Sequence, residues 1–366
     1  MRIPQSLHAA PSSPDGNHPV PLGVLDALLA SASDEERGDR SVTSSIDLLR
    51  DADLLADDGA SDPARTARAL MQVGAVNLGV GRLWEGHMNA LHLIRRYGTS
   101  GLKTEVARQI AEGAFLGVWG ADGEVPVTLD VSGRHLNGRK CFASGLGAVT
   151  QAVVTVDSGP DVRLALVNVT DAGHADPSTW SMRGMQATAS GSYEFTGLAT
   201  EDIEWLGGPG DYLQEPHFVG GVWRIAALQA GAAIGLLDTA AAQLRAMDRM
   251  QAEAQKTRLM TVLMRAWAGM ALTERAAIAT TDRRIETEEI VAASIAARLF
   301  TEEVALDAIR AVEQSIGLRH FETDSETGRM ARDLAVYLRQ AARDAFLQRA
   351  AQTALGQDGR SWGIFG

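Results

Sequence analysis

From residue 218 onward the helical period sets in and is kept almost to the end of the chain. Apolar residues recur at spacings of three and four across residues 220–250, 255–281, 287–316 and 328–355. Each stretch is more than twice the mean helix length of about 11–12 residues. Helices this long, joined by short polar links, hide their apolar faces best against one another, which makes a four-helix bundle. The first is apolar around most of its circumference, through Ile225, Ala226, Leu228, Ala232, Ile234, Leu236 and Leu237. Such a helix needs cover on several sides, so assembly of copies through the bundle is expected.

A chain of 366 residues holds more than this bundle. Residues 1–22 carry Pro4, Pro11, Pro14, Pro19 and Pro21 among Ser, Asn, His and Gly, a composition that reads as a flexible arm. Residues 23–113 read as helices over 24–32, 44–55, 63–77, 80–97 and 104–112. Asp62 is an N-cap for the third, with Pro63 at its first position. Residues 114–205 switch to strand alternation and turn residues. Strands are expected over 152–156, 164–169 and 190–196. Residues 125–131 and 135–142 read as a hairpin turning at Asn137-Gly138. Residues 206–366 form the bundle domain. The expected class is mainly α with a central β-domain.

Composition narrows the function. Apolar residues are 45% and charged residues 22%, ordinary for a globular protein. A net charge of −12 with no Lys/Arg block argues against a nucleic-acid surface. Cys141 is the only cysteine, so no internal disulfide and no cysteine metal site is expected, and a reducing cytoplasm fits. No uninterrupted apolar run approaches ~20 residues, so no membrane span is expected. Met1-Arg2-Ile3-Pro4-Gln5-Ser6 lacks the apolar core of a signal peptide.

Several short motifs stand in register with this layout. Gln314-Ser315-Ile316-Gly317 ends the third long helix, and Arg332-Asp333 follows in the next. Gly98-Thr99 with Leu102-Lys103 lies in the N-terminal domain. In the β-domain stand Asn137-Gly138-Arg139-Lys140-Cys141-Phe142-Ala143-Ser144-Gly145, Met182 to Thr188, and Tyr193-Glu194-Phe195. Together with the domain order they resemble the acyl-CoA dehydrogenase family over nearly the whole chain. The resemblance implies FAD between the β-domain and the bundle, with Phe142 and Ser144 beside the isoalloxazine. An apolar wall and a hydroxyl donor suit a flavin ring. Trp119 stands at the entry to the β-domain, where the family carries Thr-Glu-Pro, on the flavin side. The resemblance also implies that Gln314 and Gly317 reach the adenine-diphosphate half of FAD on a neighbouring subunit. Arg245 is the nearest match for the diphosphate cation, although Asp248 replaces the family's Phe three residues on. A shared site implies a homodimer or homotetramer.

The family's chemistry needs a carboxylate to take a proton beside a thioester carbonyl. Its usual place, nine residues past Arg332, is Ala341, and the other branch's place is Val222-Trp223-Arg224-Ile225. Neither holds an acid. On the helix over 80–97, Arg82, Glu85 and Asn89 share one face and His87 points elsewhere. Gly86 within it costs about 1 kcal/mol relative to Ala, which suggests close approach by another group. Glu85 is the candidate substitute base. The resemblance therefore implies an FAD-dependent oxidoreductase acting on a CH–CH bond of an acyl thioester or related small molecule. Two alternatives share the fold: a flavin-dependent monooxygenase, which needs no such carboxylate, and a scaffold without catalysis.

Overall fold

The computed structural model describes residues 19–159 and 161–366. Residues 1–18 of the expected arm lie outside the described residues. The remainder is not free: Val20 is fully buried, and its N–H donates to Gln72 Oε1 at 3.2 Å.

Five helices come first: α1 (Leu22–Arg37), α2 (Thr43–Asp51), α3 (Pro63–Val76), α4 (Leu78–Tyr97) and α5 (Ser100–Ala111). Local chemistry starts three of them. Asp62 Oδ1 accepts from Arg65 N at 2.9 Å, Asn77 Oδ1 from Val80 N at 3.1 Å, and Thr99 Oγ1 from Leu102 N at 3.2 Å. Asn77 also donates to Glu35 Oε2 at 2.8 Å, which ties α1 to the start of α4.

Nine strands follow: β1 (Leu116–Trp119), β2 (Thr128–Leu129), β3 (Leu136–Asn137), β4 (Arg139–Ala143), β5 (Gln151–Asp157), β6 (Val162–Asn168), β7 (Ala175–Asp176), β8 (Gly191–Glu194) and β9 (Ile203–Leu206). Six form one sheet, in the order β3-β2-β5-β6-β9 with β1 parallel to β5. The other three form a second sheet, β4-β8-β7. The expected hairpin turn is corrected here. β2 and β3 turn through residues 130–135, where Asp130 Oδ1 accepts from Arg134 N at 3.0 Å and from Ser132 Oγ at 2.8 Å. Gly138, at φ 112°, instead carries the chain from one sheet to the other. Lys140 braces the two sheets. Its ammonium is fully buried between Asp122 and Thr155 Oγ1 at 2.6 Å.

His87 joins the helical domain to the sheets. It is fully buried, with Leu116 N donating to Nδ1 at 3.0 Å and Nε2 at 2.8 Å from Leu55 O. Its ring stacks on Phe115 at 4.9 Å, and burial pushes its pKa down to about 4, so it is neutral.

The C-terminal domain contains α6 (Trp223–Ala246), α7 (Glu253–Ala279), α8 (Thr287–Ile316), α9 (Glu326–Tyr337) and α10 (Arg343–Leu355). The expected single helix over 328–355 is therefore two. Ala342 takes a left-handed φ of 61°, and Arg298 of α8 donates to Ala341 O at 3.4 Å. Arg343 pairs with Glu302 at 3.1 Å and also with Glu303, so α10 lies across α8 and buries no residue fully.

α6 is the core helix. The stretch Val219–Ala246 is long and apolar enough to cross a membrane by composition, with a mean hydropathy of 1.5, and 67% of that window is buried inside the molecule. Its cover comes from α3, α7 and α8 of the same chain. The outward apolar stripe lies on α7 instead, where Met260, Met264, Trp267 and Ile278 share one face, Met264 and Trp267 being 53% and 52% exposed.

The α3–α6 contact depends on absent side chains. A Cβ at Gly231 would lie 2.0 Å from Met71 O, and one at Gly235 2.0 Å from Ala75 O. Gly231→Ala is therefore expected to lower stability by about 1–3 kcal/mol, the usual cost of overpacking. Gly101→Ala on α5, where an added Cβ meets nothing within 4 Å, is the control and stays neutral or gains slightly. Urea denaturation of both variants measures the difference.

Candidate functional site

The β4 strand ends in a bulge between Lys140 and Ala143. Phe142 sits there at φ 53°, 59% exposed, edge-on to Trp180 at 6.3 Å between ring centroids. Ser144 follows. Its hydroxyl lies 3.0 Å from Ser190 Oγ, which lies 2.7 Å from Thr188 Oγ1, and Thr188 is 2.6 Å from Met185 O. Met185 (φ 56°) and Ala189 (φ 43°) are also left-handed. Three non-glycine residues of this region, Phe142, Met185 and Ala189, are thus left-handed, and a chain of hydroxyls from Ser144 to Thr188 runs between their segments. Backbone strain of this kind costs about 1–3 kcal/mol per residue and gathers where a ligand is clamped.

The strained loop is held from outside its own domain. Asp333 of α9 is buried, and its Oδ1 accepts from Met185 N at 2.8 Å. Its Oδ2 accepts from the buried Arg329 at 2.9 Å. Glu36 of α1 accepts from Ala187 N at 3.0 Å. Burial, and then the charge of Asp333, push the Glu36 carboxyl up to about 7.

A second cluster lies where α4, α6 and α9 meet. Glu85 Oε2 accepts from Arg82 Nη1 at 3.1 Å, and Oε1 faces Arg224 Nε at 3.5 Å. Arg224 Nη2 donates to Asn89 Oδ1 at 2.9 Å. Glu85 and Arg224 are buried, as is Tyr337, whose hydroxyl has no partner. Gly86 finds its reason here: a Cβ would lie 3.0 Å from Arg82 Nη1. Burial pushes the Tyr337 phenol up, and Glu85, Arg82, Arg298 and Arg224 all act on it. With both oxygens facing guanidinium groups, Glu85 is placed as a counter-ion.

The structure brings Phe142 and Ser144 together. Trp119 supports them from behind: it is buried against Tyr193, and its Nε1 donates to Ser144 O at 3.0 Å. Gln314 and Gly317 are exposed at the end of α8. Arg245 is exposed in the last turn of α6, about 31 Å along that helix from Arg224. Of Arg332-Asp333, Arg332 is exposed and Asp333 is the anchor. Sequence reasoning passed over Arg224, Tyr337 and Arg298. The available signal was Arg224, a lone charge at the head of an otherwise apolar helix.

The fold these elements make is acyl-CoA dehydrogenase-like. The structure of dibenzothiophene monooxygenase TdsC from Paenibacillus sp. A11-2 matches with a TM-score of 0.79 over 91% of this chain and 95% of that one, at 17% identity. TdsC has also been solved with FMN bound. KijD3, in complex with FMN and a dTDP-linked sugar, matches with a TM-score of 0.77 over 97% and 98% at 18% identity. In sequence, dibenzothiophene monooxygenase of Rhodococcus qingshengii is 25% identical over 237 residues, 57% of this chain and 56% of that protein. The chain thus spans little more than half the length of the curated relatives it matches. No family model matches.

The Glu36 carboxyl generates a prediction. Its folded pKa lies above the usual 4.5, so the folded state holds a proton that the unfolded state has released. Stability from this group is full below about pH 4.5 and is lost as pH rises to about 7, by at most about 1.4 kcal/mol per pH unit. Glu36→Gln mimics the protonated form. The variant is expected to be more stable than the parent at pH 8 and equal to it near pH 4.5, as read by denaturant midpoints.

Proposed function

We propose that this protein is a flavin-dependent monooxygenase that uses FMN and acts on a small molecule. The observation that carries this reading is the state of Glu85. It is buried, and its oxygens face Arg82 and Arg224. Ala341 lies in the break between α9 and α10. A dehydrogenase working on a thioester needs a carboxylate there, and a monooxygenase does not. The relatives and neighbours that carry the name monooxygenase, or FMN, support the same direction. The scaffold reading is disfavoured because strain at Phe142, Met185 and Ala189 has no purpose in a protein that clamps nothing.

The residues present fit a flavin. Phe142 offers an exposed ring, Ser144 a hydroxyl beside it, and the loop of residues 185–189 a rigid edge. Reduced flavin, when bound, supplies the electrons for oxygen activation. The chain's own part is to hold the ring, keep the hydroxyl chain ordered through Ser190 and Thr188, and fix the loop from α9. FMN is favoured over FAD because the neighbours solved with a flavin, TdsC and KijD3, carry FMN.

Reconstitution tests the proposal. The protein is expected to retain FMN through gel filtration and to gain about 2.7 kcal/mol of stability at a hundredfold excess over Kd. Phe142→Ala should weaken FMN by about five- to tenfold, the worth of one aromatic contact. Anaerobic straight-chain acyl-CoA should leave the oxidised flavin coloured, whereas the reduced, loaded protein with labelled O2 should place label in an acceptor such as indole. Rapid bleaching by acyl-CoA would restore the dehydrogenase reading.

We also infer that copies associate as a homodimer or homotetramer through the α7 stripe. An outward apolar face of this length on a helix is a normal interface core. Light scattering should give a multiple of the chain mass, and Met264→Glu with Trp267→Glu should yield a folded monomer. A parent protein that is monomeric at micromolar concentration would rule this out.

A further inference from the structure

We propose that the molecule oxidised at this site carries an anionic group, a carboxylate or an oxyanion of sulfur, seated on Arg224 and Arg82 beside Tyr337. The proposal rests on the monooxygenase reading for the word oxidised, and on the geometry alone for the anion.

Position comes first. Two helices lead from the strained loop to the arginine cluster. On α4, a Cβ at Gly79 would touch Ala187 at 3.0 Å, and Glu85 lies six residues on, about 9 Å along the axis. On α9, Asp333 holds Met185, and Tyr337 lies four residues on, about 6 Å along the axis. Both helices thus tie the cluster to the loop that orders Ser144 through Thr188 and Ser190.

Charge comes next. Arg82, Glu85 and Arg224 together carry one uncompensated positive charge. Glu85 is 8% exposed and Arg224 7%. A charge so removed from water is unfavourable unless an opposite charge arrives to pair with it. Guanidinium groups offer planar donor pairs that match a carboxylate or a sulfinate.

Unused donors point the same way. The Tyr337 hydroxyl and Arg298 Nε and Nη2 are buried without partners. Arg298 is 1% exposed; Glu302 Oε1 pairs with Arg343 at 3.1 Å, while Glu302 Oε2, itself without a hydrogen bond, stands 4.0 Å from Arg298 Nη2, beyond hydrogen-bond reach. Buried polar groups left open in this way are rare and mark a place where a ligand supplies the missing acceptor. An anion on Arg224 would accept from the open Tyr337 hydroxyl, a group on which the charges of Arg224 and Arg298 both act.

The test is calorimetry on the full chain with FMN, using benzoate and benzenesulfinate against their neutral counterparts benzamide and methyl phenyl sulfone. The anions are expected to bind at least about tenfold tighter than the neutral compounds, the usual scale for a charge-assisted contact. Arg224→Gln should erase that preference. Tyr337→Phe, which removes a hydroxyl without a partner and so leaves the fold intact, should weaken the anions about three- to tenfold and the neutral compounds not at all. Equal binding of anion and neutral compound, or an unchanged preference in both variants, overturns the proposal. A flavin phosphate is the other source of an anion. If Arg224→Gln removes the advantage of FMN over riboflavin while benzoate is unaffected, the cluster serves the flavin and the proposal fails. If the chain takes up no FMN yet keeps its preference for benzoate, the anion site stands and the monooxygenase reading falls.

Discussion

One hydrogen bond across a domain boundary carries the site: Asp333 of α9 accepting from Met185 N. Met185 is left-handed, and without a fixed acceptor its N–H would have no reason to hold that conformation. The same loop carries Thr188 and leads to Ser190, which orders Ser144. Arg329 clamps the far oxygen of Asp333, and Glu36 takes the next N–H but one. Bundle, β-domain and N-terminal helices thus converge on one strained turn. A movement of α9 would be transmitted to Met185 and, through Thr188 and Ser190, to Ser144.

The plan of the molecule was legible because hydrophobic period changes from helical to alternating and back at residues near 115 and 218. Asp62 with Pro63 marked its own helix start by a side chain that can reach an unpaired N–H. What was not legible was set by distant groups. The break between α9 and α10 contains no Gly or Pro; Arg298 and Arg343 impose it from α8 and the start of α10. Asn137-Gly138 has the composition of a tight hairpin turn, yet the six-residue loop held by Asp130 makes the turn, and Gly138 changes sheets. The apolar circumference of α6 read as an interface because periodicity cannot say whether cover comes from the same chain. Here it comes from α3, whose backbone approaches through Gly231 and Gly235.

The site was legible in part. Phe142 and Ser144 were reachable through motif register, but the bulge that exposes the ring was not, because nothing in the sequence marks φ at a phenylalanine. The face of Arg82, Glu85 and Asn89 followed from helical spacing alone. Its meaning changed when Arg224 arrived from α6, a residue the sequence places well over a hundred positions away.

That arrival changes the electrostatics of the cluster. A carboxylate serves as a base only while an oxygen is open toward the substrate and the neighbourhood does not favour its charge. Glu85 has guanidinium groups on both oxygens, in a buried setting where each attraction is stronger than in water. The triad is matched to receiving negative charge, because its sum is positive and the buried Tyr337 hydroxyl on the neighbouring α9 has no partner. With an arginine at the head of α6, the acid opposite it on α4 becomes one member of a charged, buried cluster.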